Sequence, residues 1–326
     1  MAVLAPELRS AAPRWLIRHE TLLATILVVA LAILGLFNER FLTIDNLLNQ
    51  GRLMTEVGLL ALPMTFIIIT GGIDLSVGSI VGLCAIMLGY SWKNLGFPLP
   101  LAIAFAIGVG GVAGFVNGLL ITRVRVPPLI MTIATLALYR GLAEGISQAR
   151  SVRNYPEWFF FTGQGEWLGV PVQFWILLVG IILAGIALDR TTFGRTLYAI
   201  GNNETAARFS GLPVDRVKLV VYTLSGLAAG LSAWVLVSRV TTTRSDMGSG
   251  YELDVIAAVV LGGTSIFGGV GTIWGTVVGL VMIQLLKNGL ALTGVKGDAT
   301  IIVIGAVLIA STLIASSLRG RREVAG

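Results

Sequence analysis

The stretch Val255–Leu286, VIAAVVLGGTSIFGGVGTIWGTVVGLVMIQLL, runs for 32 residues without one charged side chain. A helix crossing the hydrocarbon core of a bilayer takes about 20 mostly apolar residues. The stretch is therefore too long for one crossing and must hold two segments, broken by the glycines between Gly262 and Gly271. The whole chain reads the same way. It is 55% hydrophobic and only 12% charged, with a mean hydropathy of +0.88. A typical soluble domain carries about twice that charge, and a water-soluble fold could not hide so much apolar surface in one core.

Further uncharged runs occupy Thr21–Phe37, Val57–Ile73, Leu75–Trp92, Leu99–Thr122 and Leu129–Tyr139, the last continuing toward Ala149, then Val172–Leu188, Leu219–Ser238 and Ala299–Leu318. The fold class expected is all-α, a polytopic membrane protein of about ten transmembrane helices, with Gly71–Gly78 and Gly262–Gly271 as places where a span is broken or re-entrant. Residues 1–20 form an N-terminal segment, 21–318 the transmembrane domain and 319–326 a short tail. Apolar character begins only near Leu22 and no small-residue cleavage pattern follows, so the first run reads as a retained helix. With the N-terminus inside, 13 of the 23 Lys and Arg fall in short cytoplasmic segments, including Arg123, Arg125, Arg190, Arg195, Arg208, Arg216 and Lys218. Positive charge favours the cytoplasmic side, which puts both termini there.

The net charge of +6 does not indicate nucleic acid, because the basic residues are scattered at the ends of apolar runs. One cysteine, Cys84, and one histidine, His19, exclude an internal disulfide and a metal site of several Cys and His ligands. Cys84 reads as a small packed residue and His19 as solvated. The 41 glycines, few of them in obvious turns, suit close helix packing in lipid.

Three strings could carry function. In Gly71-Gly72-Ile73-Asp74-Leu75-Ser76-Val77-Gly78-Ser79 a carboxylate stands between two apolar runs, where it is costly. Flanking glycines suggest a broken helix whose freed backbone groups Asp74, Ser76 and Ser79 satisfy, with Ser76 or Ser79 capping the helix that follows. Asp74 is then either a residue holding a tight turn or a direct participant in transport. The second string lies in the cytoplasmic connection 189–218. Asn203 is a good N-cap, Ala206 and Ala207 are strong helix formers, and Gly211 is a good stop. A helix of about two turns results, marginal alone in water and therefore in need of a partner surface. The third is Tyr251–Gly269, with Glu252 at its start and Gly262-Gly263 near its end. No Gly-x-x-x-x-Gly-Lys-Ser/Thr string exists in the chain, so its glycines mark a kink and not a phosphate loop. No catalytic set can be assembled either, so no enzyme activity and no cofactor are expected.

Two further features bear on organisation. Arg150–Pro171 is a long outer connection whose aromatics (Tyr155, Trp158, Phe159, Phe160, Phe161, Trp167) suit an interfacial belt or a partner contact. Asn117-Gly118-Leu119-Leu120-Ile121-Thr122 recurs as Asn288-Gly289-Leu290-Ala291-Leu292-Thr293, and Gly71-Gly72 is echoed by Gly262-Gly263. The echoes suggest an imperfect inverted repeat, an arrangement that places the substrate path at the repeat interface.

At these strings the chain resembles the permease family of bacterial ABC importers for ribose, xylose, arabinose, rhamnose and autoinducer-2. The Gly71–Ser79 string carries the resemblance, with Asn117-Gly118 followed by Arg125-Val126-Pro127-Pro128-Leu129-Ile130, and Glu252-Leu253 leading into Gly262-Gly263-Thr264-Ser265. It runs from about Leu42 to Ile314. The resemblance implies a permease that pairs with a second copy or a sister permease and with two ATP-binding subunits, fed by a periplasmic or surface binding protein. It implies that Gly201, Asn203, Glu204, Ala206, Ala207, Arg208, Ser210 and Gly211 form the segment coupled to the ATPase. Asn202 stands where the family usually has glycine. Gly71, Gly72, Asp74, Ser76, Ser79, Asn117, Glu252, Gly262, Gly263 and Asn288 are the candidates for the translocation path. The expected mechanism is alternating access driven by the partner ATPases, for a sugar or sugar-like molecule. The rival from another class is an ion-coupled secondary transporter, with Asp74 as the coupling acid.

Overall fold

The computed structural model describes residues 41–294 continuously, with Gly35, Glu39, Ala299, Ile302, Gly305, Ala306 and Ile309 as isolated positions. Apart from those positions, the expected segment 1–20 with His19, the spans Thr21–Phe37 and Ala299–Leu318, and the tail 319–326 lie outside the described residues. In chain order the helices are α1 (Ile44–Leu53), α2 (Thr55–Ile69), α3 (Val77–Lys93), α4 (Leu99–Leu119, prolonged by a π turn Leu120–Val124) and α5 (Pro128–Ser147). A short α6 (Glu157–Gln164) and a hairpin of β1 (Glu166–Trp167) and β2 (Val170–Pro171) lead into α7 (Val172–Arg190). Then follow α8 (Thr192–Asn202), α9 (Glu204–Phe209), α10 (Val214–Val240), α11 (Tyr251–Leu261) and α12 (Ile273–Leu292).

Among the described residues five helices are long and apolar enough to cross a membrane: α4 with its π turn, α5, α7, α10 and α12. The pair α1 and α2 makes a sixth if counted as one span bent by 51° at Met54. The run Val255–Leu286 breaks where its glycines stand, α11 ending at Leu261 and α12 opening at Ile273. The other expected break also forms, between Ile69 and Val77.

The bundle has two distinct ends. At one, the two breaks, the π turn, α8, α9 and the start of α10 gather, with Gly118 packed on Leu219 and Gly201 on Ile69. At the other lie α1, α6, the hairpin and the loop after α10, joined by a bridge between Val152 and Thr243 and by Gln164 Nε2 donating to the Arg239 carbonyl at 2.9 Å. The aromatics of the Arg150–Pro171 connection divide. Tyr155 and Phe159 are buried and stack in a column with Trp92, whereas Trp158, Phe161 and Trp167 stay exposed. The long loop is thus pinned by its own rings, more than the belt expectation required.

Helix α10 is the most buried of the five single-helix spans, and glycine lets it be so. Gly110 and Gly114 on α4 face Gly226 and Gly230 on α10, both pairs in the small-x-x-x-small spacing that lets backbones touch in lipid. A Cβ on Gly226 would stand 2.8 Å from the Gly114 nitrogen, and one on Gly114 would stand 3.0 Å from the Gly226 Cα. Cys84 packs at the same crossing, a buried small residue as expected.

A second seam is polar. Along α12 the side chains Thr276, Gln284 and Asn288 each meet their own kind on α1 and α2. Thr65 and Thr276 share a hydrogen bond at 2.7 Å, Gln284 donates to Gln50 at 2.8 Å, and Asn46 and Asn288 exchange two bonds at 2.8 and 3.0 Å. At about 0.6 kcal/mol for an average membrane hydrogen bond, the seam fixes register more than it adds stability. Close glycine packing is worth more, since overpacking costs about 1–3 kcal/mol. Gly226→Leu should therefore lower the thermal unfolding midpoint of the detergent-extracted protein clearly. Gly185→Leu, at a position with open space around it, should leave the midpoint unchanged; equal tolerance of both would mean the α4–α10 crossing does not depend on glycine.

Candidate functional site

The short helix α9 forms because both of its ends are closed locally. Asn203 is extended (φ −161°) and its Oδ1 accepts from the Ala206 N–H at 2.9 Å, a side-chain N-cap. At the other end Ser210 is the C-cap and Gly211 adopts φ +80°. The Gly211 N–H reaches the Arg208 carbonyl at 3.0 Å and the Leu212 N–H the Ala207 carbonyl at 3.1 Å, a Schellman closure. Ion pairs brace α9 and tie it to α10: within α9 Arg208 meets Glu204 at 2.9 Å, and across to α10 Arg208 meets Asp215 at 2.5 Å and Glu204 meets Lys218 at 2.6 Å. Burial alone would raise the Glu204 carboxyl, but hydrogen bonds from Lys218 and Arg208 outweigh it and hold the group below its ordinary value. Its stabilising contribution is thus present at neutral pH and lost as pH falls through that depressed value. Ala207 faces inward and is buried, while Phe209 is 89% exposed. A helix this well closed, carrying a bare phenylalanine, has the make-up of a contact surface.

Behind α9, the amphipathic α8 buries Leu197 and Ile200 and runs its last turn into the two helix breaks. Gly201 has no room for a Cβ, which would collide with the Ile69 carbonyl oxygen and the Gly269 nitrogen. The Gly269 N–H donates to the Ile69 carbonyl at 2.9 Å, and the Tyr198 hydroxyl donates to the Gly271 carbonyl at 2.7 Å. Three backbone segments thus meet without intervening side chains: the end of α8, the α2–α3 break and the α11–α12 break. Asn202 is the last residue of α8, and its side-chain amide lies against Gly269. Its presence in place of glycine leaves the entry to α9 intact.

Within the first break, Asp74 is fully buried. Its Oδ1 accepts from the Ser76 N–H at 3.0 Å and the Ser76 hydroxyl at 2.6 Å, and its Oδ2 from the Ser225 hydroxyl of α10 at 3.1 Å. Asn117 of α4 donates to Ser76 Oγ at 2.8 Å, and the Tyr139 hydroxyl of α5 lies 3.2 Å from Asn117 Oδ1. One carboxylate thus joins α3, α4, α5 and α10. Ser76 stands at the N-cap position of α3 without a side-chain cap bond, its hydroxyl being spent on Asp74, and Ser79 donates to the Ser76 carbonyl at 2.8 Å. Neither serine caps the helix in the way the sequence suggested. The Tyr222 hydroxyl, buried and with no hydrogen-bond partner among the described residues, stands over Gly72.

The sequence candidates therefore separate into groups. Gly71, Gly201 and the glycines after Gly263 meet at the three-segment junction, and Asp74, Ser76, Ser79 and Asn117 form the buried network. Gly262 closes against Gly275 where α11 meets α12. Glu252 sits in the first turn of α11, accepting from the Gly250 N–H at 3.3 Å and lying beside Gly78, while Asn288 belongs to the seam with Asn46. Sequence reasoning missed Arg140, whose guanidinium donates to the Ser245 carbonyl, to Met247 at 3.0 Å and to Gly78 at 3.3 Å. It holds the 241–250 loop against α3. Also missed were the pairs Glu56–Arg239 at 2.7 Å and Lys287–Asp254 at 2.5 Å. A charge inside an apolar run was the available signal. Among the described residues no group of three or more His, Cys, Asp or Glu could hold a metal ion.

A family model described as branched-chain amino acid transport system / permease component matches residues 44–312. Curated relatives include a ribose import permease protein of Bacillus subtilis, 40% identical over 88% of this chain and 90% of its own length. An autoinducer 2 import system permease protein of Yersinia enterocolitica is 38% identical over 89% of each chain. A ribose import permease protein of Escherichia coli K12 is 37% identical over 92% of this chain and 94% of its own. No solved structure matches.

The geometry makes Asp74 a structural tie. Asp74→Ala would strand the Ser76 N–H and two hydroxyls, at about 1–3 kcal/mol for each buried unsatisfied group. Its unfolding midpoint should drop strongly, and that of Asp74→Asn, which keeps an acceptor, should drop less. An alanine variant as stable as the parent but dead in transport would make Asp74 a transport group instead.

Proposed function

The chain belongs to the permease-component family of such transport systems, and we propose that it is the membrane subunit of an ATP-driven importer for a monosaccharide or sugar-like molecule. It is a transport component and not an enzyme. The family description names branched-chain amino acids, but the relatives named above are named for ribose and autoinducer 2, and substrate class follows them. In this reading two copies, or this chain and a sister permease, enclose the path. Two ATP-binding subunits sit on the cytoplasmic side and a binding protein delivers the substrate from the other. Both termini are cytoplasmic and the spans number about ten, with residues 21–318 as the membrane domain and residues 189–218 facing the ATPase. The basic residues Arg123, Arg125, Arg190, Arg195, Arg208, Arg216 and Lys218 at the α9 end of the bundle support that side as the cytoplasm.

The observation that carries the reading is α9 itself, with its exposed Phe209 and its direct backbone route to both helix breaks. A push on α9 reaches α8, and through Gly201 the two breaks at once. The breaks adjoin Asp74 and Gly262-Gly263, so the path candidates lie one step from the coupling surface. An inverted repeat relating the Asn117 and Asn288 hexamers is part of the proposal. It is supported by the place of each near the end of a long helix, α4 and α12, at opposite ends of the bundle. The ion-coupled alternative is disfavoured by Asp74, whose two oxygens are both occupied in a fully buried network.

Reconstitution with the neighbouring ATP-binding and binding-protein subunits in liposomes tests this. One ligand from a panel of pentoses, hexoses, deoxyhexoses and autoinducer-2 should stimulate ATP hydrolysis and uptake. Phe209→Ala should weaken ATPase docking about 30-fold, the equivalent of about 2 kcal/mol for an interface hot spot. Gly201→Ala should leave the complex assembled but uncouple hydrolysis from uptake. Uptake driven by an ion gradient alone, without the ATPase, would overturn the reading.

A further inference from the structure

A groove of about 640 Å³ opens on the face of α7, within the ~300–1,000 Å³ range of small-ligand pockets. Leu59 of α2 and Leu231 of α10 form its inner wall, Val179 and Leu183 its outer lip, and Phe161 and Trp167 the end nearest the hairpin. Gly180 keeps it deep: a Cβ there would stand 3.1 Å from Leu62 and 3.6 Å from Leu59. The lining is aliphatic and aromatic throughout. Trp175 donates its indole N–H to the Trp167 carbonyl at 3.3 Å, so its ring offers the groove only apolar atoms.

We propose that this groove holds one acyl chain of a membrane phospholipid as a resident ligand. Val179 and Leu183 line it and are 55% and 62% exposed, so the groove opens on the surface that a spanning helix gives to hydrocarbon. Water does not fill it, since the bilayer core that it opens on holds none. An empty groove would forfeit the dispersion contacts of its whole lining. An acyl chain is the one mobile apolar species that a bilayer supplies at any depth. Polar chemistry stands at the end where a headgroup would lie. Glu166, the neighbour of Trp167, pairs with Arg52 at 2.5 Å, and the Arg52 Nε–H is buried with no hydrogen-bond partner among the described residues. The part of the Arg52 side chain that stays 28% exposed beside that pair is the cation for a phosphate oxygen of the same lipid. Trp167 and the exposed Phe161 mark the interfacial level. The proposal rests on the membrane placement of the chain and not on its substrate or its ATPase.

The test uses the full chain in nanodiscs of mixed phospholipids. A photoreactive group near the middle of the acyl chain should crosslink to peptides of α7 and α10. After detergent extraction, mass spectrometry should find one retained phospholipid per chain. Val179→Phe and Gly180→Leu should each cut retention and crosslinking at least tenfold, and Arg52→Gln should cut retention alone. The proposal is overturned if retention is unchanged in both groove-filling variants. It is equally overturned if Val179→Cys forms a disulfide with a cysteine placed in residues 21–37, or with its counterpart in a second copy, because another polypeptide then occupies the groove.

Discussion

Wherever a helix is interrupted inside a bilayer, its freed N–H and C=O groups must find partners within the protein, because lipid offers none. Among the described residues two glycine-marked interruptions of this kind stand at the α9 end of the bundle, and the architecture follows from how they are resolved. They satisfy each other through the Ile69 carbonyl and the Gly269 N–H, and they borrow the end of α8 to close the contact. Asp74 then anchors the chain leaving the first break to α4, α5 and α10. A soluble protein could hydrate either break, so neither would need the other. In hydrocarbon they are obliged to meet, and their meeting places the surface helix α9 beside them.

This obligation explains why much was legible in the sequence. Both breaks were marked by paired glycines, and α9 by an Asn cap, an Ala pair and a Gly stop, all local signals with local physical causes. The inward role of Asn117 was only half legible. Its place in a motif was visible, but its partner Ser76 lies 41 positions away and depends on how α3 packs on α4. The like-with-like seam of Asn46 with Asn288 and Gln50 with Gln284 was not legible, since it joins the two ends of the chain through tertiary packing alone. Glu56, Arg140 and Arg239 went unread for another reason. Glu56 and Arg239 stand near helix ends and Arg140 in the middle of α5, and the partners of all three come from elsewhere in the chain, the 241–250 loop among them.

The aromatic connection teaches a related lesson. Rings at a membrane boundary invite the belt interpretation, and Trp158 and Trp167 fit it. Tyr155 and Phe159 instead stack on Trp92 in the core, which converts a long loop into a fixed lid over the end of α3. The hairpin that follows is equally fixed, by Arg52. Length alone was a poor guide to order in this segment.

Two joins in the molecule are also held by different kinds of force. The seam between α1 and α12 is made of neutral amides paired with identical amides, which neither titrate nor attract counter-ions. The base beneath α9 is made of carboxylates and cations near the surface, whose attraction weakens as salt rises. The amide seam is thus indifferent to acidity and ionic strength, whereas the base beneath α9 answers to both.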